Sequence, residues 1–516
     1  MSKTHPAVCL SFVMCLCLSG LFPARSASGV SAAEPVHKAP EPASGKAKDP
    51  NRGPAAPAAQ EAPVVVARIG DSTIPRKDLE ERLVREIRPR EEEYAQASQP
   101  VTAEATLRAM LGEKAMSMEG RSLGYLKDET IRPMIEQFEQ QQLARMLLDR
   151  QFGDPVSADP AEVDRALKAN PKWSREQATA MVQQAAMTRL FESFYKGLVE
   201  KVHLKKAETS FGQAALIHQR LLQRPVEPRG QGEFWIKNSQ VKNELSEQEK
   251  SLVLATYDGG TFTLTDWFQM VCNIAPPRRP QDLGTPAGVE RLLDRALRLP
   301  LLVAEAKARG YDKDEKVRSE VRRYEDQQLL YKVQGEKIKG TGEPTAEQVK
   351  AYFEKNQERF AQPATMKISQ IWCKDLEAAR KVKAALGGGE DFETARKANS
   401  LQKEEVPHIV SAVDETLFWA ELWKADPNQT VGPVRGFYSS GAKWRIVKVL
   451  EKTPAKAQPY SEQLANKVKE TLTAEQRRHV LDACQAELLK KYPYEIFSDR
   501  IKNMDPLEIA MSKEDK

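Results

Sequence analysis

The sequence predicts an α+β protein of two related, mainly helical lobes with a small α/β domain inserted in the second. Three observations predict it. Residues 124–143 (GYLKDETIRPMIEQFEQQQL) and 310–329 (GYDKDEKVRSEVRRYEDQQL) agree at ten of twenty positions at an offset of 186. Ile131/Val317, Ile135/Val321 and Phe138/Tyr324 are like-for-like changes, so the chain carries an internal duplication. The offset persists to Val163/Val349 and Asn170/Asn356; upstream, VARIGDSTI (66–74) matches LATYDGGTF (254–262) and Asp78 matches Asp266 at an offset of 188. The copies then diverge. Asn170 leads almost directly into a long helical stretch, whereas residues 361–458 intervene between Asn356 and the comparable stretch near Ser461.

Residues 1–33 read as a secretory signal, with Lys3 and His5 before the apolar run AVCLSFVMCLCLSGLF and small residues after it. Cleavage near Ser26 and cleavage near Ala32 both fit, and a retained N-terminal anchor is the alternative. Residues 34–63 hold seven prolines and many alanines, the composition of a tether that cannot build a core. VVVARI (64–69) and LVLAT (252–256) read as strands. Each is followed by turn residues, Asp71-Ser72 and Asp258-Gly259-Gly260, and by a helix starting near Pro75 or Thr265. Apolar periodicity predicts long helices at 103–122, 128–150, 174–203, 287–309, 312–337 and 459–490. Gly124 and Gly310 stand at expected helix C-caps, with Asp128 and Asp314 opening the next helix. The resulting division is a first lobe at 64–210, a connecting segment at 211–251 and a second lobe at 252–360. An insert follows at 361–458, then a helix at 459–505 that completes the second lobe, and a tail at 506–516.

The insert reads β-α-α-α-β. MKISQIWC (366–373) is a strand, EAARKVKAAL (377–386) a helix, DFETARKA (391–398) a second and ETLFWAELW (415–423) a third, and WRIVKVLE (444–451) is an alternating strand.

Composition narrows the function. The net charge of +5 is small for 516 residues and both signs are mixed, which disfavours nucleic acid as the main partner. No apolar run beyond the first 25 residues is long enough to span a bilayer. Once the signal leaves, Cys272, Cys373 and Cys484 remain, too few and too scattered for a disulfide framework. There is no CxxC, no HExxH and no His/Asp cluster, so neither a metal nor another cofactor is expected.

The opening strand and helix, GGEDFETARKANS, FWAELWKADPNQTVGPV and RIVKVLEK together resemble the parvulin-type peptidyl-prolyl isomerase domain. The flanking copies more loosely resemble the N-terminal chaperone domain of SurA-type periplasmic foldases. The resemblance implies a proline pocket floored by two histidines with a Cys or Asp between them. Those histidine positions fall here on Gln370 and Arg445, the Cys/Asp position falls near Gln402, and a pocket Met or Leu falls on Asp414. The family's glycine-rich loop is replaced by KEEVPHIVSAVD, and the pocket phenylalanine survives as Phe418. His408, the one histidine of the insert, is expected on a loop. Trp419 and Trp423 are read either as core residues or as the lining of a peptide groove.

Prolyl isomerisation needs no nucleophile: its barrier of about 18–20 kcal/mol falls when the amide loses resonance in an apolar, preorganised pocket. An arginine beside Asp414 is a poor host for a proline ring. Three functions therefore stand: an exported chaperone that holds unfolded or nascent polypeptides with a weak or inactive isomerase domain, an active peptidyl-prolyl isomerase, and a structural scaffold of the envelope. The expected location is the periplasm or another extracytoplasmic space. The oligomeric state is not legible.

Overall fold

The structure is a computed structural model that describes residues 64–89, 101–153, 156–226, 234–439 and 441–512. The expected signal and the Pro/Ala-rich tether lie outside the described residues.

The first copy runs β1 (Val65–Ile69), β2 (Ser72–Pro75), α1 (Arg76–Ile87), α2 (Ala103–Ser122), α3 (Ile131–Phe152), α4 (Pro160–Ala169), α5 (Arg175–Lys201), β3 (Lys205–Lys206) and α6 (Glu208–Gln223). The short helices α7 (Asn238–Glu244) and α8 (Glu247–Lys250) follow. The expected connecting segment at 211–251 is therefore largely helical. The second copy opens with β4 (Val253–Tyr257), β5 (Gly260–Thr263), α9 (Leu264–Asn273), α10 (Pro286–Ala296), α11 (Arg298–Ala308), α12 (Glu315–Ile338) and α13 (Ala346–Lys355). The insert contributes β6 (Thr365–Cys373), α14 (Leu376–Gly387), α15 (Phe392–Asn399), β7 (His408–Ser411), α16 (Ala412–Glu415), α17 (Trp419–Lys424), β8 (Thr430–Tyr438) and β9 (Gly441–Thr453). The second copy closes with α18 (Glu462–Lys491), β10 (Tyr494–Ile496), α19 (Ser498–Ile501) and α20 (Pro506–Ser512), so the described part of the expected tail is a helix.

Local chemistry sets these bounds. The Thr102, Asp159 and Ser174 side chains accept from backbone N–H groups in the first turns of α2, α4 and α5. Gly124 and Gly310 both adopt φ +76°, a left-handed conformation that costs glycine little, just past the ends of α2 and α11. The single helix expected at 287–309 is broken at Leu297. Pro300 supplies no N–H, and a proline is tolerated in the first turn of a new helix but not in the middle of a long one.

The compact units cut across the copies. Among the described residues, one unit falls within 128–325; the other joins those of 64–127 to those of 326–512. In the first, β4 of the second copy pairs with β3 of the first copy, with Lys205 opposite Thr256. Its core mixes Leu143, Leu147 and Phe191 with Trp267, Phe268 and Leu302. In the second unit, β1 of the first copy pairs with β10 of the second, with Ala67 opposite Ile496. That core mixes Leu79, Leu107 and Leu111 with Val333, Cys484 and Leu488. The division into lobes at 64–210 and 252–360 plus 459–505 is thus corrected: each lobe takes its hairpin from one copy and its closing helices from the other. Within the first unit, Phe138 stacks on Tyr324, its own counterpart in the duplication, with ring centroids 4.2 Å apart and planes 8° from parallel.

The insert folds within the second unit. It leaves and re-enters at neighbouring points, where the Gln362 and Lys456 backbones exchange hydrogen bonds of 2.8 and 3.1 Å. Its antiparallel sheet has the order β7-β6-β9-β8. One core of the insert joins Ile371, Val382, Phe392 and Ile446. The other joins Met366, Phe418, Leu422 and Val447 to Val84 and Ile87 of α1 and to Leu507 and Ala510 of α20. The β-α-α-α-β reading missed β7, which has only four residues, and β8, whose Gly432, Pro433 and Gly436 break the alternation that marks a strand. Cys373 and Cys484 are buried and Cys272 half-buried, all as free thiols. No described helix is long and apolar enough to cross a membrane.

Candidate functional site

The central strands β6 and β9 place Gln370 opposite Val447 and Trp372 opposite Arg445. Side chains two apart share a face, so Gln370 and Arg445 emerge on the same side of the sheet as diagonal neighbours. Arg445 Nη1 donates to Gln370 Oε1 at 2.7 Å. The two positions expected to floor the pocket are therefore in direct contact.

Arg445 is almost wholly buried, with 2% of its side chain exposed. Burying a guanidinium is costly unless it is paired. Glu415, at the end of α16, supplies the pair: Arg445 Nη1 donates to Oε1 at 3.1 Å and Nη2 donates to Oε2. The guanidinium carbon lies 5.1 Å from the centre of the Trp372 ring and 5.6 Å from that of Phe418. Room for it depends on Gly436, where a Cβ would fall 2.6 Å from Arg445 Cζ and 2.7 Å from the edge of Trp372. Gln370 extends the network by donating from Nε2 to Glu405 Oε1 at 2.5 Å. Burial pushes the Glu405 carboxyl above its ordinary range, against the opposing pull of Gln370, His408, Arg445 and Arg396. Glu405 Oε2 and Arg445 Nε are buried without a hydrogen-bond partner.

Above this floor lies a cleft of about 290 Å³ lined by Gln370, Trp372, His408, Ile409, Val410, Asp414, Glu415, Phe437 and Arg445. The other expected residues sort as follows. Gln402 is exposed, and its backbone N–H donates to Ser400 Oγ at 3.3 Å; Glu405, not Gln402, reaches the floor. Asp414 lines the cleft, but its carboxylate caps α16, accepting from Ser411 N and Oγ at 2.7 and 2.8 Å; the arginine pairs with Glu415 instead. Phe418 is buried and packs edge-on to Phe437 at 5.3 Å, behind the lining. Trp419 and Trp423 stack on each other at 5.0 Å against the core and are not part of the lining. His408 lies on β7, not on a loop, with Nδ1 3.6 Å from Glu405.

Sequence reasoning missed Glu405 and Glu415. The signal was a buried arginine's need for a carboxylate. It pointed to no particular residue, because 403–415 contains four acidic side chains.

Residues 344–508 match the family model described as the PPIC-type PPIase domain.

The match covers about a third of the chain.

No curated protein sequence matches the chain. Among solved structures the chain is similar to one reported with the SurA-like chaperones PEB4 and Cj1289 of Campylobacter jejuni, at 16% identity over 46% of this chain and 98% of that one, with a TM-score of 0.23. It is also similar to PrsA from Bacillus cereus, at 20% identity over 38% and 69% of the two chains and a TM-score of 0.21. The foldase PrsA from Streptococcus pneumoniae matches at 19% identity over 39% and 75%, with a TM-score of 0.22.

Within this matched segment the floor of the cleft is an ionic pair, Arg445 with Glu415, joined to Gln370. Both terminal guanidinium nitrogens of Arg445 are engaged by carboxylate and amide oxygens, and the guanidinium sits between Trp372 and Phe418. A prolyl ring seated there would meet charge where loss of amide resonance is favoured by an apolar surround.

Proposed function

We propose that this chain is an exported foldase that binds unfolded polypeptides, and that its PPIC-type domain holds client segments while turning over prolyl bonds weakly or not at all. The observation that carries the reading is the buried Arg445–Glu415 pair at the floor of the cleft. Arg445 and Gln370 stand where the resemblance places histidines, and the pair keeps a charge beneath any bound proline. The signal-like residues 1–33 would deliver the chain to a compartment where newly exported proteins arrive unfolded and prone to aggregate. Binding that favours unfolded clients is holdase behaviour. Asp414 at the cleft mouth is the residue assigned to client contact, and Phe418 supports the floor from behind.

Two assays on the full chain test this. Aggregation of an unfolded exported protein should slow, whereas refolding of a client limited by one slow proline step should proceed at its uncatalysed rate. A rate enhancement of the size usual for parvulins, lost in Phe418→Ala, would instead establish an active isomerase. An absence of both effects would favour a structural scaffold of the envelope.

A further inference from the structure

The rim of the cleft carries a second set of features that the floor does not use. Exposed large apolar residues concentrate in one segment of the insert: Leu401, Val406, Ile409 and Leu417, with Val406 at 70% and Ile409 at 69% exposure. On the cleft side of β7 it is His408 and Val410 that share the face of Gln370 and Trp372, and Val410, Trp372 and Phe437 give the cleft an apolar wall.

Beside them runs an open sheet edge, since β7 is the outer strand of its sheet. Ser411 N turns to the Asp414 carboxylate rather than to β6. Main-chain groups alternate along a strand, so Ile409, two residues earlier, presents its N–H and C=O to the same open side.

The charge of the rim is uneven. Arg445 and Glu415 neutralise each other. Asp414 accepts only from Ser411, and Glu405 accepts only from the neutral Gln370 amide, with His408 3.6 Å away. Arg396, behind Glu405, is paired with Glu393. Among the described residues, Asp414 thus lines the cleft without a paired cation.

We infer that this cleft binds an extended client segment in which an apolar residue stands next to a lysine or arginine. The apolar side chain lies against Trp372, Val410 and Phe437. The client main chain runs along β7 at Ile409 as an added strand, and its cation meets Asp414. This inference rests on the foldase reading and specifies what that site selects.

The test uses the full chain and two labelled extended peptides that share one apolar core, one flanked by lysines and the other by glutamates. Fluorescence anisotropy at low salt should show the lysine peptide binding about fivefold tighter, with the ratio shrinking at high salt. Asp414→Asn should bring the ratio close to one. Ile409→Pro, which removes an outward N–H that β6 does not use, should weaken both peptides alike. A lysine peptide N-methylated at the pairing position should lose affinity in the same way and leaves the protein's fold untouched. Equal affinities, a preference for glutamate, or a ratio unchanged in Asp414→Asn would overturn the inference. If neither peptide binds while aggregation is still suppressed, this site fails and the foldase reading survives; if suppression is absent too, both fail.

Discussion

Arg445 and Glu415 form a buried two-point ion pair across thirty residues of sequence, joining the central strand β9 to the short helix α16 beneath the cleft. The pair fixes where α16 can sit and fills the floor with charge. Arg445 and the Gln370 it contacts stand at the two positions where the resemblance implies histidines.

Glu415→Ala leaves a guanidinium buried without its partner, which costs about 3–5 kcal/mol. Urea unfolding followed by Trp372 and Trp444 fluorescence should show that loss. Arg445→Met combined with Glu415→Leu should cost much less than the sum of the single changes, because a buried pair is replaced by apolar groups. Additive losses in the double-mutant cycle would mean that the two residues do not act together.

Gly436→Ala drives a methyl group into the Arg445 guanidinium and the Trp372 edge. Overpacking of this kind costs about 1–3 kcal/mol. The same change at Gly387, where a Cβ meets nothing within 4 Å, should be nearly neutral. Equal unfolding midpoints for the two variants would remove the steric role assigned to Gly436.

Glu405 predicts a pH signature. Burial raises its folded carboxyl above the ordinary value of 4.5, so the folded state holds the proton more tightly than the unfolded state does. Its contribution is fully present below that ordinary value and is lost as pH rises through the raised folded value. Glu405→Gln mimics the protonated form. Its stability relative to wild type should therefore grow as pH rises from 4.5 towards neutrality. A difference independent of pH, measured by thermal unfolding, would contradict the assignment.

Gln370→His combined with Arg445→His restores the side chains that the resemblance expects, yet it strands Glu415 without its cation. Proline-limited refolding should stay at the uncatalysed rate, and the insert should be less stable than wild type. Fast catalysis by this double variant would show that the two histidines suffice on this scaffold.

The exchanged lobes predict the behaviour of fragments. Residues 64–250 and 251–512 each lack half of both large cores. Neither fragment alone should show cooperative unfolding, and mixing them should restore it, as read by circular dichroism. Independent folding of either fragment would argue against the exchange.

Much of this protein is legible in its sequence. The 186-residue offset gives the duplication, periodicity gives the long helices, and the strands read at 366–373 and 444–451 pair with Gln370 and Arg445 on one face. These signals are local, or they repeat at a fixed spacing, and the chain carries them whatever it packs against. Tertiary structure alone decided three things. It chose Glu415 rather than Asp414 for Arg445, because neighbouring carboxylates are alike in composition and differ only in which one the turn of α16 points inward. It supplied β7 and β8, whose pairing with β6 and β9 outweighs their weak strand pattern. And it exchanged the hairpins between the copies: duplicated segments present near-equivalent faces, so each hairpin fits either set of closing helices, and the choice lies in the chain's long-range path rather than in any residue pattern.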